Sequence, residues 1–469
     1  MRGQMNHICA AILLATIALI AQPVWAQAGG DGGGGDGDGG GGGGATSGGI
    51  EINAEGVLSA RTTTDESGRL TMKRLEAARN IVDQDLQKPS KLRKVSLRRL
   101  EQQVKALVEA GKKIPNDMQC LAGMTRLSHV FYYPETQDIV IAGPAEGYFR
   151  TAENRIVGME TGSATLQLQD LIVALRAFSP SGEKTPLIAV SIDPTQDGLK
   201  RMAQAQRNLG AVNLNQRFDI ANLFREALGH QTITITGVSP RTHFAQVLVE
   251  ADYNMKLIGI GLKQPPVNIT SFIKAATLRS GNRLQRWYFQ PNYDSVSLSE
   301  DKYAMQLSGS GVKLVGEDET VSAQGQRNRT GGANKASQTF TTSFTKAYDD
   351  LAKVRPLFAE LRNLIDLSIA AAYIQKMGLY QESEWNMETF SDESLASVEH
   401  SQAPTKVDAV VNVVVKGGVI MTPIGGGVHI QPRVALNPDK ASIDKEGQIE
   451  SVRDTIHFDN LADGQWWWD

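Results

Sequence analysis

Residues 231–262 read QTITITGVSPRTHFAQVLVEADYNMKLIGIGL. Thr232, Ile233, Thr234, Ile235 and Thr236 alternate in polarity and are all β-branched, the period of a half-buried strand. Gly237 breaks the alternation. Ser239-Pro240 then predicts a helix start, with a hydroxyl to cap free N–H groups and a ring suited to the first helical position. Phe244, Leu248, Ala251 and Met255 follow at helical spacing and give one apolar face. Gly259 and Gly261 close the unit, and Pro265-Pro266 forbids continuation. His243, Glu250 and Asp252 fall off the apolar face. They are expected to lie on a solvated helix face with one surface histidine. The alternative is acid–base or metal chemistry, but two ligands at an i, i+4 helical spacing are not found here.

The chain has 469 residues, enough for two or three domains. Its 41% hydrophobic and 21% charged content is ordinary for a chain with a sizeable core. Arg2 and His7 precede an apolar run at 8–20, and Val24-Trp25-Ala26 has the small-residue pattern of a cleavage site. Residues 1–26 therefore read as a secretory signal peptide, with an uncleaved anchor as the alternative. Export to the periplasm, cell envelope or exterior is the expected address. Cleavage removes Arg2 and no acid, so the formal net charge of −3 becomes −4, too weak to imply a nucleic-acid or membrane partner. Cys120 is then the only cysteine, which forbids an intramolecular disulfide. It is expected to be buried.

Residues 27–49 are mostly glycine, with Asp31, Asp36 and Asp38, and read as a flexible linker. Calcium binding by Gly-Asp repeats is disfavoured because the nine-residue repeat with its apolar position is missing. Residues 50–111 are expected to form an N-terminal helical region, with helices at 71–86 and 95–110 separated by Pro89. The acid-free run Lys88, Lys91, Arg93, Lys94, Arg98 and Arg99 reads as a solvated helix start rather than a polyanion contact, since no aromatic residue is interleaved.

Residues 112–335 read as a central α/β core. Its clearest element is a hairpin, 129–133 and 138–142 about a turn at 134–137, with His129 on its first strand. Asp193-Pro194-Thr195 ends a strand and opens a helix. A meander is expected over 287–307. Glu317-Asp318-Glu319 reads as an exposed acidic turn, with calcium ligation as the sharper alternative. Residues 322–338 read as a loop without the spacing of a P-loop, and Gly309-Ser310-Gly311 is not a nucleophile elbow. Residues 336–469 predict a long amphipathic helical pair at 340–353 and 356–377, then a C-terminal β-hairpin of 406–416 with 427–435. Arg362 and Asp366 argue against a membrane span in the second helix, and none is expected after the leader. Three glycines at 425–427 suggest a tight bend or close backbone approach, with a phosphate nest as the lesser alternative. Trp466-Trp467-Trp468-Asp469 is expected to dock on its own core. The fold class is thus α+β or mixed α/β, with a central mixed sheet and helices.

Longer strings carry a resemblance. YYPETQDIVIAGPAEGYF, LQDLIVALRAF, SIDPTQDGLKRM, THFAQVLVEADYNMKLIGIGL, QRWYFQPNY, GVKLVGEDE, LRNLIDLSIAAAYIQ, MTPIGGGVHIQPR and WWWD together resemble the secreted planctomycete proteins grouped as domain-of-unknown-function family 1598. The resemblance covers roughly residues 50–469. It implies a bacterial envelope or extracellular setting. It brings no activity, cofactor or catalytic residue with it.

Two classes of function remain. One is a non-catalytic binding or structural module, whose partner is an envelope protein or polymer. It is favoured because no metal-ligand spacing, P-loop, nucleophile elbow or dinucleotide fingerprint is present, and no cofactor is expected. The other is a hydrolase-type enzyme with a site assembled from distant loops. Its candidates are His129, Asp193, His243, Glu250 and Asp252; Glu317, Asp318 and Glu319 are the metal candidates. Two or more of the former meeting in one cleft favour the enzyme, whereas scattered and exposed groups favour binding.

Overall fold

The alternating stretch does form a strand, His230–Thr236, and it pairs antiparallel with Ile188–Pro194. Both belong to a nine-stranded mixed sheet. In spatial order the sheet runs Ile50–Ile52, Val57–Ala60, Lys406–Asp408, His230–Thr236, Ile188–Pro194, Ile424–Ile430, Leu284–Pro291, Val312–Val321 and Arg327–Arg329. Two joints are parallel, one between Val57–Ala60 and Lys406–Asp408, the other between Ile424–Ile430 and Leu284–Pro291. The computed structural model describes residues 49–61, 65, 67–182, 185–210, 214–277, 284–292, 295–415, 419–421, 424–458 and 461–469. The expected signal peptide and, apart from Gly49, the glycine linker lie outside these residues.

Three glycines sit in the middle of that sheet. Gly426 has φ +138°, and a Cβ there would lie 1.7 Å from the Trp287 carbonyl oxygen. One on Gly427 would lie 1.7 Å from the Val190 carbonyl. Close backbone approach, one of the options at 425–427, is what the glycines provide.

One face of the sheet is apolar. Val190, Ile192, Trp287, Phe289 and Val428 are buried there, under the helices His243–Gly259 and Lys335–Lys346. Trp287 packs against Phe340 and Phe272, with ring centroids 4.6 and 5.4 Å away, and its indole N–H donates to the Ser337 hydroxyl at 2.8 Å. Burying so large a ring contributes strongly, and its polar tip is satisfied. The helices Gln196–Asn208 and Arg217–Leu228 form a satellite core with Leu284.

A second, seven-stranded sheet runs Ser442–Ile443, Val296–Leu298, Ala304–Leu307, His129–Tyr133, Asp138–Ala145, Ser90–Ser96 and Trp467–Trp468. The expected hairpin is its centre, with Tyr133 opposite Asp138. Period-two alternation divides its side chains. Val130, Tyr132, Ile139 and Ile141 join the main core; Phe131, Tyr133, Val140 and Ala142 pack with Ile449, Ile456 and Trp468.

The helix Pro356–Lys376 is buried all round, from Leu357 to Ile374 with the single exception of Arg362. Asn363 Nδ2 donates to the carbonyls of Thr125 and Ala164, and Tyr373 Oη to that of Lys302. The helix His243–Gly259 packs against it and against the nine-stranded sheet. The fold is α+β, as the sequence implied.

Several local expectations are corrected. The N-terminal helical pair does not form as predicted. The helix Arg69–Ile81 has no buried residue and ends before 82, while 90–96 is a strand, so the second helix is Leu97–Glu109. Half of the basic run thereby enters a sheet, and Arg93 is fully buried. The central helix starts at His243 with Thr242 as its cap, because Thr242 Oγ1 rather than Ser239 accepts the free N–H, that of Ala245. The expected meander is split, since Leu284–Pro291 joins the large sheet and Val296–Leu298 and Ala304–Leu307 the other. The predicted hairpin partners also separate. Val413–Val415 pairs with Val419–Met421 in a small ribbon, and Ile424–Ile430 enters the large sheet instead. The second helix of the long pair is core rather than amphipathic.

The tryptophan tail docks on the fold. Trp466 and Trp468 are buried, and Trp467–Trp468 pairs with Ser90–Ser96. The indole nitrogen of Trp468 is buried with no hydrogen-bond partner among the described residues, so that part of the expectation does not hold.

Candidate binding site

Three of the singled-out residues on the central helix are buried, not solvated: His243, Glu250 and Asp252. The helix has apolar residues beyond the predicted face, including Val247, Val249 and Ile258. Packing therefore covers it on several sides, and its polar groups find partners inside the protein.

His243 Nδ1 lies 3.0 and 2.9 Å from the two carboxylate oxygens of Asp170, on the helix Leu168–Ala177. Glu250, two turns on, accepts from Arg155 Nη2 at 2.6 Å on both oxygens. Arg155 Nη1 bonds Glu360 of the buried helix Pro356–Lys376. Asp170, His243, Glu360, Arg155 and Glu250 are at most 7% exposed. Taking such charges out of water is costly unless each is paired.

Burial alone would lower the His243 pKa. The Asp170 carboxylate and its hydrogen bond outweigh that, Glu360 adds to them, and the pKa is raised to about 9. The helix dipole also opposes a cation at this position, which makes Asp170 the deciding partner. His243 is therefore an imidazolium at neutral pH, with Nδ1–H donating to Asp170. Its Nε2 is buried with no partner among the described residues. Glu360 has its pKa raised by burial, against the pull of Arg155 and His243, and its Oε1 is likewise unpartnered.

His243 lines a pocket of about 340 Å³, a size suited to a small ligand. Arg150, Gln167, Gln169, Gln246 and Ser401 share its wall. The Ser401 hydroxyl donates to the Arg241 carbonyl and accepts from Gln246. Its proton is thus directed away from His243. Glu250 lines a different pocket, of about 410 Å³, whose lining does not include His243. Glu250 is bonded to Arg155, and Arg155 to Glu360, while Glu360 acts on His243 through its charge alone; the two candidates do not meet in one cleft.

Asp252 belongs to another cluster. Its carboxylate accepts from Lys256 Nζ at 2.7 Å, one helical turn on, and the same ammonium donates to the Ile192 carbonyl. Burial pushes Asp252 up to about 6 and lowers Lys256. Asp193 lies in a ring of ion pairs on the sheet. Arg286 and Arg327 each bridge Asp193 and Glu319, at 2.6 to 3.4 Å. His129 shares no bond with the other candidates. Its Nδ1 is 2.9 Å from Ser128 Oγ, its ring stacks on Phe131, and burial lowers its pKa to about 4. The acidic triplet is not an exposed turn: it lies in the strand Val312–Val321, with Asp318 and Glu319 buried on opposite faces. Asp318 accepts from the backbone and amide of Asn334, and Glu319 is spent on the arginines. No group of three metal-ligand side chains occurs among the described residues.

Asp170, Arg155, Glu360 and Lys256 were missed from sequence. Asp170 and Glu360 each stand within strongly apolar helical runs, and Lys256 stands four residues after Asp252; those were usable signals. Arg155 carries none. Residues 190–272 match the family model described as Protein of unknown function (DUF1598). The match is narrower than the resemblance, but it holds Asp193, His243, Glu250, Asp252 and Lys256 within one stretch. No curated protein and no solved structure matches the chain.

Proposed function

We propose that the chain is an exported, non-catalytic binding protein that holds a polar, oxygen-rich ligand in the pocket beside His243. The carrying observation is the His243–Asp170 pair. An imidazolium with a pKa near 9, held in a neutral pair with Asp170, is a fixed polar wall and cannot serve as a general base at neutral pH. The Gln167 amide, the Arg150 guanidinium and the second N–H of the Gln169 and Gln246 amides, whose first N–H groups are spent on Gln167 and Ser401, supply further donors. A ligand rich in carbonyl, carboxylate or hydroxyl oxygens fits them, and envelope polymers are built from such groups. The apolar run at 8–20 and the cleavage pattern at 24–26 support export to the periplasm, envelope or exterior.

The test is thermal-shift screening of the purified protein against soluble fragments of envelope polysaccharide and peptide, followed by calorimetry on any hit. Binding that weakens at least tenfold in Gln169→Ala, a partly buried position on the same wall, with the melting temperature of the free protein kept, is the expected result. Turnover of a fragment, abolished in Asp170→Asn, would instead establish the hydrolase.

A further inference from the structure

The second pocket, of about 410 Å³, lies beside Glu250 and has a different chemistry. Its floor is the Arg155–Glu250 pair, already neutralised, with the Gly49 N–H also donating to Glu250 at 3.0 Å. Around this floor stand Arg61, Lys263 and Arg355. Four cations (Arg61, Arg155, Lys263 and Arg355) and two carboxylates (Glu153 and Glu250) line the pocket, on a chain whose formal net charge is −3. Arg61 and Arg355 pair with no acid among the described residues, and Lys263 donates only to the neutral Asn254 amide. Burial lowers the Lys263 pKa and the nearby Arg355 lowers it further, against the opposing pull of Glu250 and Glu153. Partly buried Lys263 and exposed Arg355 are close enough to repel one another, and an anion between them relieves the repulsion.

The rest of the lining is mixed: Glu153, Asn254 and Gln264 are polar, and the remainder forms an apolar stretch. Tyr253 and Leu257 come from the central helix, and Leu357 and Phe358 from the start of the buried one. At the rim, Leu262 is 46% exposed. A fully hydrated inorganic ion leaves that wall unused, whereas a short apolar body covers it.

We propose that this second pocket binds a small organic anion, a carboxylate or phosphate group carried on a short apolar chain. The cationic rim takes the oxyanion by charge-assisted hydrogen bonds, and the apolar wall takes the body. This site is separate from the one beside His243 and stands whether or not that one binds a ligand.

The test is isothermal titration of the full chain at pH 7 with octanoate, octyl phosphate, inorganic phosphate and octanol. Octanoate or octyl phosphate is expected to bind at least tenfold tighter than inorganic phosphate and octanol, and the tighter of the two names the head group. Lys263→Met and Arg355→Met should each weaken it, with Arg61→Gln as a third variant at an exposed position. All three should keep the melting temperature of the free protein. The proposal is overturned if neither amphiphile binds, if inorganic phosphate or octanol binds as well as they do, or if the Lys263→Met/Arg355→Met double variant binds undiminished.

Discussion

Arg93 and Asp469, 376 residues apart in sequence, close a two-pronged ion pair: Nε to Oδ1 at 2.9 Å and Nη2 to Oδ2 at 2.8 Å. The guanidinium is fully buried and also donates to the carbonyls of Asp85, Leu86, Lys88 and Ala122. It lies 4.8 Å from the centroid of the Trp467 ring. Asp469→Ala removes the two charged bonds and should cost about 2 kcal/mol. Arg93→Ala should cost more, since it strands four carbonyls and leaves a cavity. Urea denaturation of both variants decides this; equal stabilities of Asp469→Ala and the parent would show that the tail is held by its tryptophans alone.

The His243–Asp170 pair predicts a pH dependence of definite sign. The folded pKa is raised above the ordinary 6.5 to about 9. Its stabilisation is therefore fully present below pH 6.5 and declines as pH rises towards 9. The upper bound is ~3 kcal/mol. Unfolding free energies at pH 6, 7.5 and 9 should fall more steeply for the parent than for Asp170→Asn. Parallel curves would mean that His243 is neutral in the fold.

Lys256 and Asp252 test how buried charge is tolerated. Lys256→Met leaves a fully buried carboxylate without its cation, and the expected cost is about 3–5 kcal/mol. The double variant Lys256→Met/Asp252→Leu should recover most of that loss, because neither charge then needs desolvating. A double variant no more stable than the single would show that the pair holds the helix against the Ile192 carbonyl in a way packing cannot replace.

Gly426→Ala should prevent folding or cost on the order of 4 kcal/mol, since the methyl group would meet the Trp287 carbonyl and the φ of +138° is strained for any L side chain. Soluble yield and melting temperature measure it. A melt indistinguishable from the parent would place the backbone elsewhere.

Local signals were legible where the structure is local. Alternation gave the strand at 230–236, and turn residues at 134–137 gave the hairpin register. The central helix was found, but its environment was misjudged. The apolar face of Phe244, Leu248, Ala251 and Met255 on its own implies an opposite polar one facing water. Val247, Val249 and Ile258 were the contrary evidence, since a helix apolar on several faces belongs inside. The candidate site was half legible. His243 and Glu250 stood out by residue type, whereas Asp170, Arg155 and Glu360 reach them from three other elements. Nothing in the spacing of a single chain encodes that convergence. The same holds for the strand Ile424–Ile430, whose neighbours lie more than 100 residues upstream.

That strand has a consequence for how the chain reaches its fold. Ile188–Pro194 and Leu284–Pro291 are held side by side only by Ile424–Ile430 between them, and the Ile50–Ile52 and Val57–Ala60 edge is joined to the rest through Lys406–Asp408. Contacts of such long sequence separation close late, because loop entropy must be overcome before pairing repays it. A growing chain cannot complete the large sheet until residue 430 has emerged. Up to that point, the edges that will flank the glycine strand stay open to other strands, and the protein depends on whatever keeps them apart.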